Sequence, residues 1–161
     1  MAIEIERKFL VSQQNLGVAK SRATSFRTIR QGYLLTKVNK SVRVRLSETG
    51  SAKTAHLSIK GPKIGSMSVE FEYEIPHNDG LHLLTMCEHV LDKVRYNVID
   101  QHGQFWEVDV FDGLNKGLVV AEIEMVDTNQ KITIPDWVGR EVTTDPAYTN
   151  AVLVKQKAPV E

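Results

Sequence analysis

In the stretch EIERKFLV (4–11), Glu4, Glu6 and Lys8 fall on alternate positions, with Ile5 and Phe9 between and beyond them. In a strand, alternate side chains line one face about 6.6 Å apart, so the two glutamates become neighbours. The same spacing sets Arg43 beside Arg45, Lys93 beside Arg95, Glu107 beside Asp109, Glu122 beside Glu124, and Glu70, Glu72 and Glu74 in a row. Lys60 is a lone charge on a similar face. Two like charges at that distance repel by roughly 2.5 kcal/mol at an effective dielectric of about 20. Water and salt screen this repulsion on a wetted face, whereas an inward face needs a counter-charge. The chemistry open to such rows is the capture of something multivalent.

Eight strands would position these side chains. After 4–11 they are RTIRQGYLL (27–35), SVRVRLS (41–47), HLSIKG (56–61), VEFEYEI (69–75), DKVRYNVI (92–99), FWEVDVF (105–111) and VAEIEMV (120–126), each with apolar residues opposite its charges. Helical spacing is confined to Leu81, Leu84, Cys87 and Leu91 behind a turn predicted at Asn78–Gly80, a weak pattern near Leu16 within the polar stretch 12–25, and the segment after Asp145-Pro146. There Asp145 can cap and Pro146 can take the first helical position. The fold class is therefore α+β, mainly β.

The charges are sorted by sign from strand to strand. Acids gather on the first, fifth, seventh and eighth strands, bases on the third, fourth and sixth. A wetted sheet face is the commonest setting for alternation. Like charges on one strand add nothing favourable to folding, however, so systematic sorting favours a closed barrel with one acidic and one basic interior wall. An outer-membrane barrel also has a polar lumen, but the apolar faces here are short and apolar helical segments lie between the strands to cover them.

The remaining bounds are ordinary. The 161 residues are 42% hydrophobic and 25% charged, enough for one domain with a real core, taken as residues 1–161. Twenty basic residues balance twenty acidic ones, so no overall field favours nucleic acid or an anionic membrane. A single cysteine, Cys87, excludes an internal disulfide and fits a reducing cytoplasm, and the start lacks a signal-peptide pattern. The five histidines show no metal-like clustering, Trp106 and Tyr73 read as exterior packing residues, Glu70 and Glu107 as structural or peripheral acids, and Lys20, Arg22, Arg27 and Arg30 as a solvated loop.

These residues resemble the CYTH superfamily, the triphosphate tunnel metalloenzymes, whose hallmark is an N-terminal Glu-x-Glu-x-Lys motif, here Glu4, Glu6 and Lys8. QGYL (31–34), VRVR (42–45), SIKG (58–61), EFEYEIP (70–76), KVRY (93–96), WEVDVFDG (106–113), GLVVAEIE (117–124) and GREVTTDPAYTN (139–150) follow in order and are similar to its short bacterial branch. The resemblance implies a closed eight-stranded antiparallel β-barrel, a tunnel with a charged lumen and a few covering helices, that binds a triphosphate with divalent metal.

The resemblance further implies that Glu4, Glu6, Glu122 and Glu124 are metal ligands, with Asp109 beside them and Glu72 and Glu74 as weaker candidates. Lys8, Arg43, Arg45, Lys60, Lys93 and Arg95 would neutralise the triphosphate, the arginines gripping oxygens in pairs. Glu4, Glu6 and Lys8 would be catalytic, and Lys155 is similar to a lysine that some members turn into the tunnel. Hard oxygen ligands suit Mg²⁺ or Mn²⁺, and a metal-bound water aligned with the terminal phosphate would be the nucleophile. Inorganic tripolyphosphate is the expected substrate. The alternatives are thiamine triphosphate hydrolysis, adenylate cyclisation of the class IV type, and a non-catalytic polyphosphate or nucleotide sensor, which would not need both glutamate pairs. A homodimer is compatible with this reading; nucleic-acid and membrane partners are not expected.

Overall fold

The computed structural model describes residues 3–159. All eight strands form: β1 (Ile3–Leu10), β2 (Ala23–Lys37), β3 (Lys40–Thr49), β4 (Ala52–Ile64), β5 (Met67–Ile75), β6 (Val90–Ile99), β7 (Phe105–Phe111) and β8 (Val119–Glu124). Three helices accompany them, α1 (Gln13–Ser21), α2 (His77–Thr85) and α3 (Asn150–Leu153). β2 to β5 form a meander joined by two-residue turns, each with one residue at positive φ: Asn39 at 66°, Gly50 at 58° and Gly65 at 60°. Such turns match the right-handed twist of the flanking strands, which is why asparagine and glycine occupy them.

The barrel closes in the order β1-β5-β4-β3-β2-β6-β7-β8, every pairing antiparallel. This order makes the acidic strands β7, β8, β1 and β5 contiguous and places the basic strands β4, β3 and β6 in the other half, with β2 among them. Directly paired residues share a face, so the charged faces of neighbouring strands all turn into one lumen.

The apolar core consequently lies largely outside the barrel wall. Phe9, Trp106, Val108, Ala121 and Ile123 pack under α1 and Trp137, with Trp106 completely buried as the sequence implied; Tyr73, also on the outer face, is exposed. Val44, Leu46 and Ala55 pack under Leu84 of α2. At one end the lumen face itself becomes apolar: Leu10 pairs with Val120, and Phe111 with Lys93. There Leu10, Leu91, Phe111 and Val120 are covered by Val142, Tyr148, Leu153 and Val154 from the C-terminal segment. Burying these groups removes apolar area from water at about 25 cal/mol per Å².

Two local expectations change. Asn78–Gly80 is not a turn but the first turn of α2, with Pro76 at the N-cap. A Cβ on Gly80 would stand 2.6 Å from Ala55 Cβ and 2.7 Å from a Leu46 methyl, so the glycine permits the helix to approach the sheet. Leu91, grouped with that helix by its spacing, instead belongs to β6. The weak pattern near Leu16 is α1, capped by Ser12, which accepts from the Asn15 amide at 3.2 Å. Asp145 accepts from the Ala147 amide at 3.0 Å and starts a 3₁₀ turn, Pro146–Tyr148, that leads into the four-residue α3. Among the described residues, no helix is long and apolar enough to cross a membrane.

Candidate active site

A cavity of about 1090 Å³ occupies the lumen. Glu4, Glu6, Lys8, Glu122 and Glu124 line it from β1 and β8, facing Arg43, Arg45 and Lys60 from β3 and β4. Arg95, Glu70, Glu72 and Glu107 complete the charged wall, Tyr33 adds a phenol, and Asn150 and Lys155 close it from the C-terminal segment.

Most of the cations are already held by acids. Lys8 Nζ lies 2.9 Å from Glu122 Oε1. Arg95 reaches Glu122 at 2.9 Å and Asp109 at 2.6 and 2.7 Å, and also donates to Glu107. Burial alone would raise the Glu122 carboxyl, but Lys8, Arg95 and Lys93 hold it well below the ordinary carboxylate range. Lys60 Nζ lies 2.6 Å from Glu4 and 3.2 Å from Glu70, and Lys63 lies 3.5 Å from Glu6. Arg43 donates to Ser58, Glu70 and Glu72 at 3.0 to 3.3 Å.

Two groups stand out from this neutralised network. Arg45 has no carboxylate within ion-pair distance among the described residues, although Glu72 and Asp109 attract it from farther away; its Nε donates to Gln31 Oε1 at 3.3 Å. Burial first, then repulsion from Arg43 and Arg95, push its guanidinium down to about 10. On the opposite wall Glu124 also lacks an ion-pair partner among the described residues and stands directly across the ladder from Glu6. Burial and then repulsion from Glu4, Glu107 and Glu6 raise its carboxyl. The cavity therefore offers a cation without an ion-pair partner on one wall, Arg45, and a carboxylate without one on the other, Glu124, beside the paired Glu4, Glu6 and Glu122.

Not every predicted side chain reaches this space. Lys93 and Asp109 lie behind it as a sealed ion pair at 2.5 Å, with side-chain exposures of 0% and 1%, and Lys93 also donates to Asn150 of α3 at 3.3 Å. Both Asp109 oxygens are occupied by Arg95 and Lys93. Glu74 is exposed and outside the cavity lining. Conversely, Glu70 and Glu107, read as structural or peripheral acids, line the cavity, as does Arg27, whose Nη2 lies 3.0 Å from Glu107 rather than in a solvated loop. Arg27 already falls at the start of the strand read at 27–35, but its position opposite Arg95 depends on β2 pairing with β6, which no local pattern shows.

Carboxylates at the cavity suit a divalent cation in donor chemistry. Among the described residues, no three His, Cys, Asp or Glu side chains form a ready-made metal cage. A hard divalent cation can be held by one or two carboxylates together with waters and substrate phosphate. Glu6 and Glu124 are the adjacent donors; Lys63 stands 3.5 Å from Glu6, and Lys60 holds the neighbouring Glu4.

Fold and lumen define a class: a closed antiparallel β-barrel with a two-signed internal cavity. The chain belongs to the CYTH domain family, whose profile matches residues 2–149. It is 44% identical over 157 residues to an inorganic triphosphatase of Acetivibrio thermocellus, an alignment covering 96% of this chain and 95% of that protein. It is 33% identical over 152 residues to an inorganic triphosphatase of Nitrosomonas europaea, covering 93% and 95%. A crystal structure of an inorganic triphosphatase superposes with a TM-score of 0.62 at 30% identity, over 96% of this chain and 95% of that one.

Proposed function

We infer that the protein hydrolyses a triphosphate within the barrel, with inorganic tripolyphosphate as its substrate. The observation that carries this reading is Arg45: a guanidinium facing the cavity beside Arg43 and Arg95, with no carboxylate of its own. An uncompensated charge is destabilising unless a counter-ion arrives, and a linear triphosphate supplies several negative charges to one elongated cavity. The similarity to inorganic triphosphatases supports the same substrate class.

Arg45 presents its terminal nitrogens to the phosphate chain, and Arg43, Lys60 and Lys8 add charge from flanking strands. Arg43 and Lys60 exchange part of their contact with Glu70 and Glu4 for phosphate oxygens. Arg95, pinned by Asp109, Glu107 and Glu122, offsets those carboxylates on the β6 wall next to the phosphate chain. Asp109 and Lys93 act from behind as positioning groups. Phosphoryl transfer depends mainly on such positioning and charge neutralisation. Glu6 and Glu124, with Glu4 and Glu122 alongside, would hold Mg²⁺ or Mn²⁺, which supplies charge neutralisation at the phosphate and acidifies water.

The test is a substrate panel with Mg²⁺ and with Mn²⁺, comprising tripolyphosphate, ATP, thiamine triphosphate and pyrophosphate, with phosphate, pyrophosphate and cyclic AMP scored separately. Phosphate release fastest from tripolyphosphate is expected. Cyclic AMP as the main product, or no turnover of any triphosphate, overturns the reading.

A further inference from the structure

Gln31 is fully buried on the lumen face of β2, directly opposite Arg45 in the β2–β3 ladder. Its Oε1 accepts from Arg45 Nε at 3.3 Å, while its Nε2 has no hydrogen-bond partner among the described residues. A buried amide left half-satisfied is destabilising, so its retention needs a reason. Gln31 does not line the cavity, whereas Arg45 does. The amide thus stands behind the guanidinium and holds it through the nitrogen nearest the chain.

We propose that Gln31 is a positioning residue for the triphosphate: it orients Arg45 without neutralising it, leaving the terminal nitrogens free for phosphate. This rests on the functional reading above. The choice of an amide is the informative feature. The other cavity arginines show the alternative, since Arg43 is tied to Glu70 and Glu72, and Arg95 to Glu107, Asp109 and Glu122. A carboxylate at position 31 would reach Arg45 across the same pair of strands and occupy it internally. An apolar side chain there would leave the Arg45 fork unanchored, to swing between rotamers and lose order on binding. Only a neutral acceptor of this length does neither.

The consequence is an opposition of stability and affinity that misfolding cannot imitate. Gln31→Glu compensates Arg45, so the unliganded protein should melt at a higher temperature while its affinity for tripolyphosphate, titrated calorimetrically in EDTA to prevent turnover, falls at least about tenfold. Gln31→Met, close in volume, should weaken binding and raise KM by about three- to tenfold with a smaller change in kcat. In an Arg45→Ala background the same Gln31→Met change should have no further effect on binding, because its route of action is gone. If Gln31→Met lowers affinity equally in both backgrounds, Gln31 is a packing residue and the inference fails. Unchanged tripolyphosphate affinity in Gln31→Glu also overturns it. If the parent itself neither binds nor hydrolyses tripolyphosphate, the functional reading falls first; a parent that does both, with indifferent Gln31 variants, sinks this inference alone.

Discussion

Glu6 on β1 and Glu124 on β8 face each other directly across an antiparallel ladder, carboxylate against carboxylate. Lys63 is 3.5 Å from Glu6, but Glu124 has no ion-pair partner among the described residues. Directly opposed like charges are destabilising by less than about 1 kcal/mol when water screens them. Glu124→Gln should therefore leave the unliganded protein as stable as the parent or raise its melting temperature by about 1 to 3 °C, while cutting turnover of tripolyphosphate at least about 100-fold through loss of a cation ligand. Thermal melts and steady-state assays on the same preparation check both halves; undiminished turnover would remove Glu124 from the site.

Arg43 and Arg45 should separate in the opposite way. Arg43→Ala strips a donor from Ser58, Glu70 and Glu72 and leaves Glu70 to Lys60 and Glu72 to the Ser58 hydroxyl, so a fall in melting temperature of roughly 2 to 4 °C is expected. Arg45→Ala removes a charge disfavoured by burial and by Arg43 and Arg95, at the cost of a weaker attraction to Glu72 and Asp109 beyond ion-pair distance, so stability should change little or improve. Both should raise KM for tripolyphosphate and lower kcat, since charge is redistributed in the transition state. Equal destabilisation by the two substitutions would contradict the unequal pairing of the two arginines.

The cavity should respond strongly to its ligands. Binding to the native state alone contributes RT ln(1 + [L]/Kd), about 2.7 kcal/mol at a hundredfold excess over Kd. Mg²⁺ with a non-hydrolysable triphosphate should thus raise the melting temperature by about 5 to 10 °C, and Arg43→Ala combined with Lys60→Ala should shrink that rise. No shift in the parent at saturation would mean that the charged faces do not form a triphosphate site.

Acid should loosen the barrel through Glu122. Burial opposes its charge, yet Lys8, Arg95 and Lys93 hold the folded carboxyl well below its ordinary 4.5. The unfolded chain then binds the extra proton first, so this contribution is fully present above pH 4.5 and is lost as the pH falls toward the folded value. Melting temperature should drop steeply below that pH, and Glu122→Gln should begin lower at neutral pH but decline less. Parallel profiles for the two proteins would show that Glu122 is not the group responsible.

Local alternation was enough to specify the eight strands and the charged face of each, because period two survives whatever the strands pair with. Sorting of acids and bases strand by strand was likewise legible, as was the capping at Asp145-Pro146. Tertiary structure decided that β5 returns to β1 and β6 crosses to β2, which turns sorted strands into two contiguous walls. It also decided which charges remain available. Lys93 and Arg95 have the same spacing as Arg43 and Arg45, yet Lys93 is sealed against Asp109, Arg95 is fully paired, and Arg45 is left with Gln31. Gly80 read as a turn because glycine marks both turns and close contacts, and only the approach of α2 to Ala55 distinguishes them. Availability of a charge depends on Coulomb and desolvation terms that vary over a few ångströms, between residues tens of positions apart in the chain, and no periodicity encodes that distance.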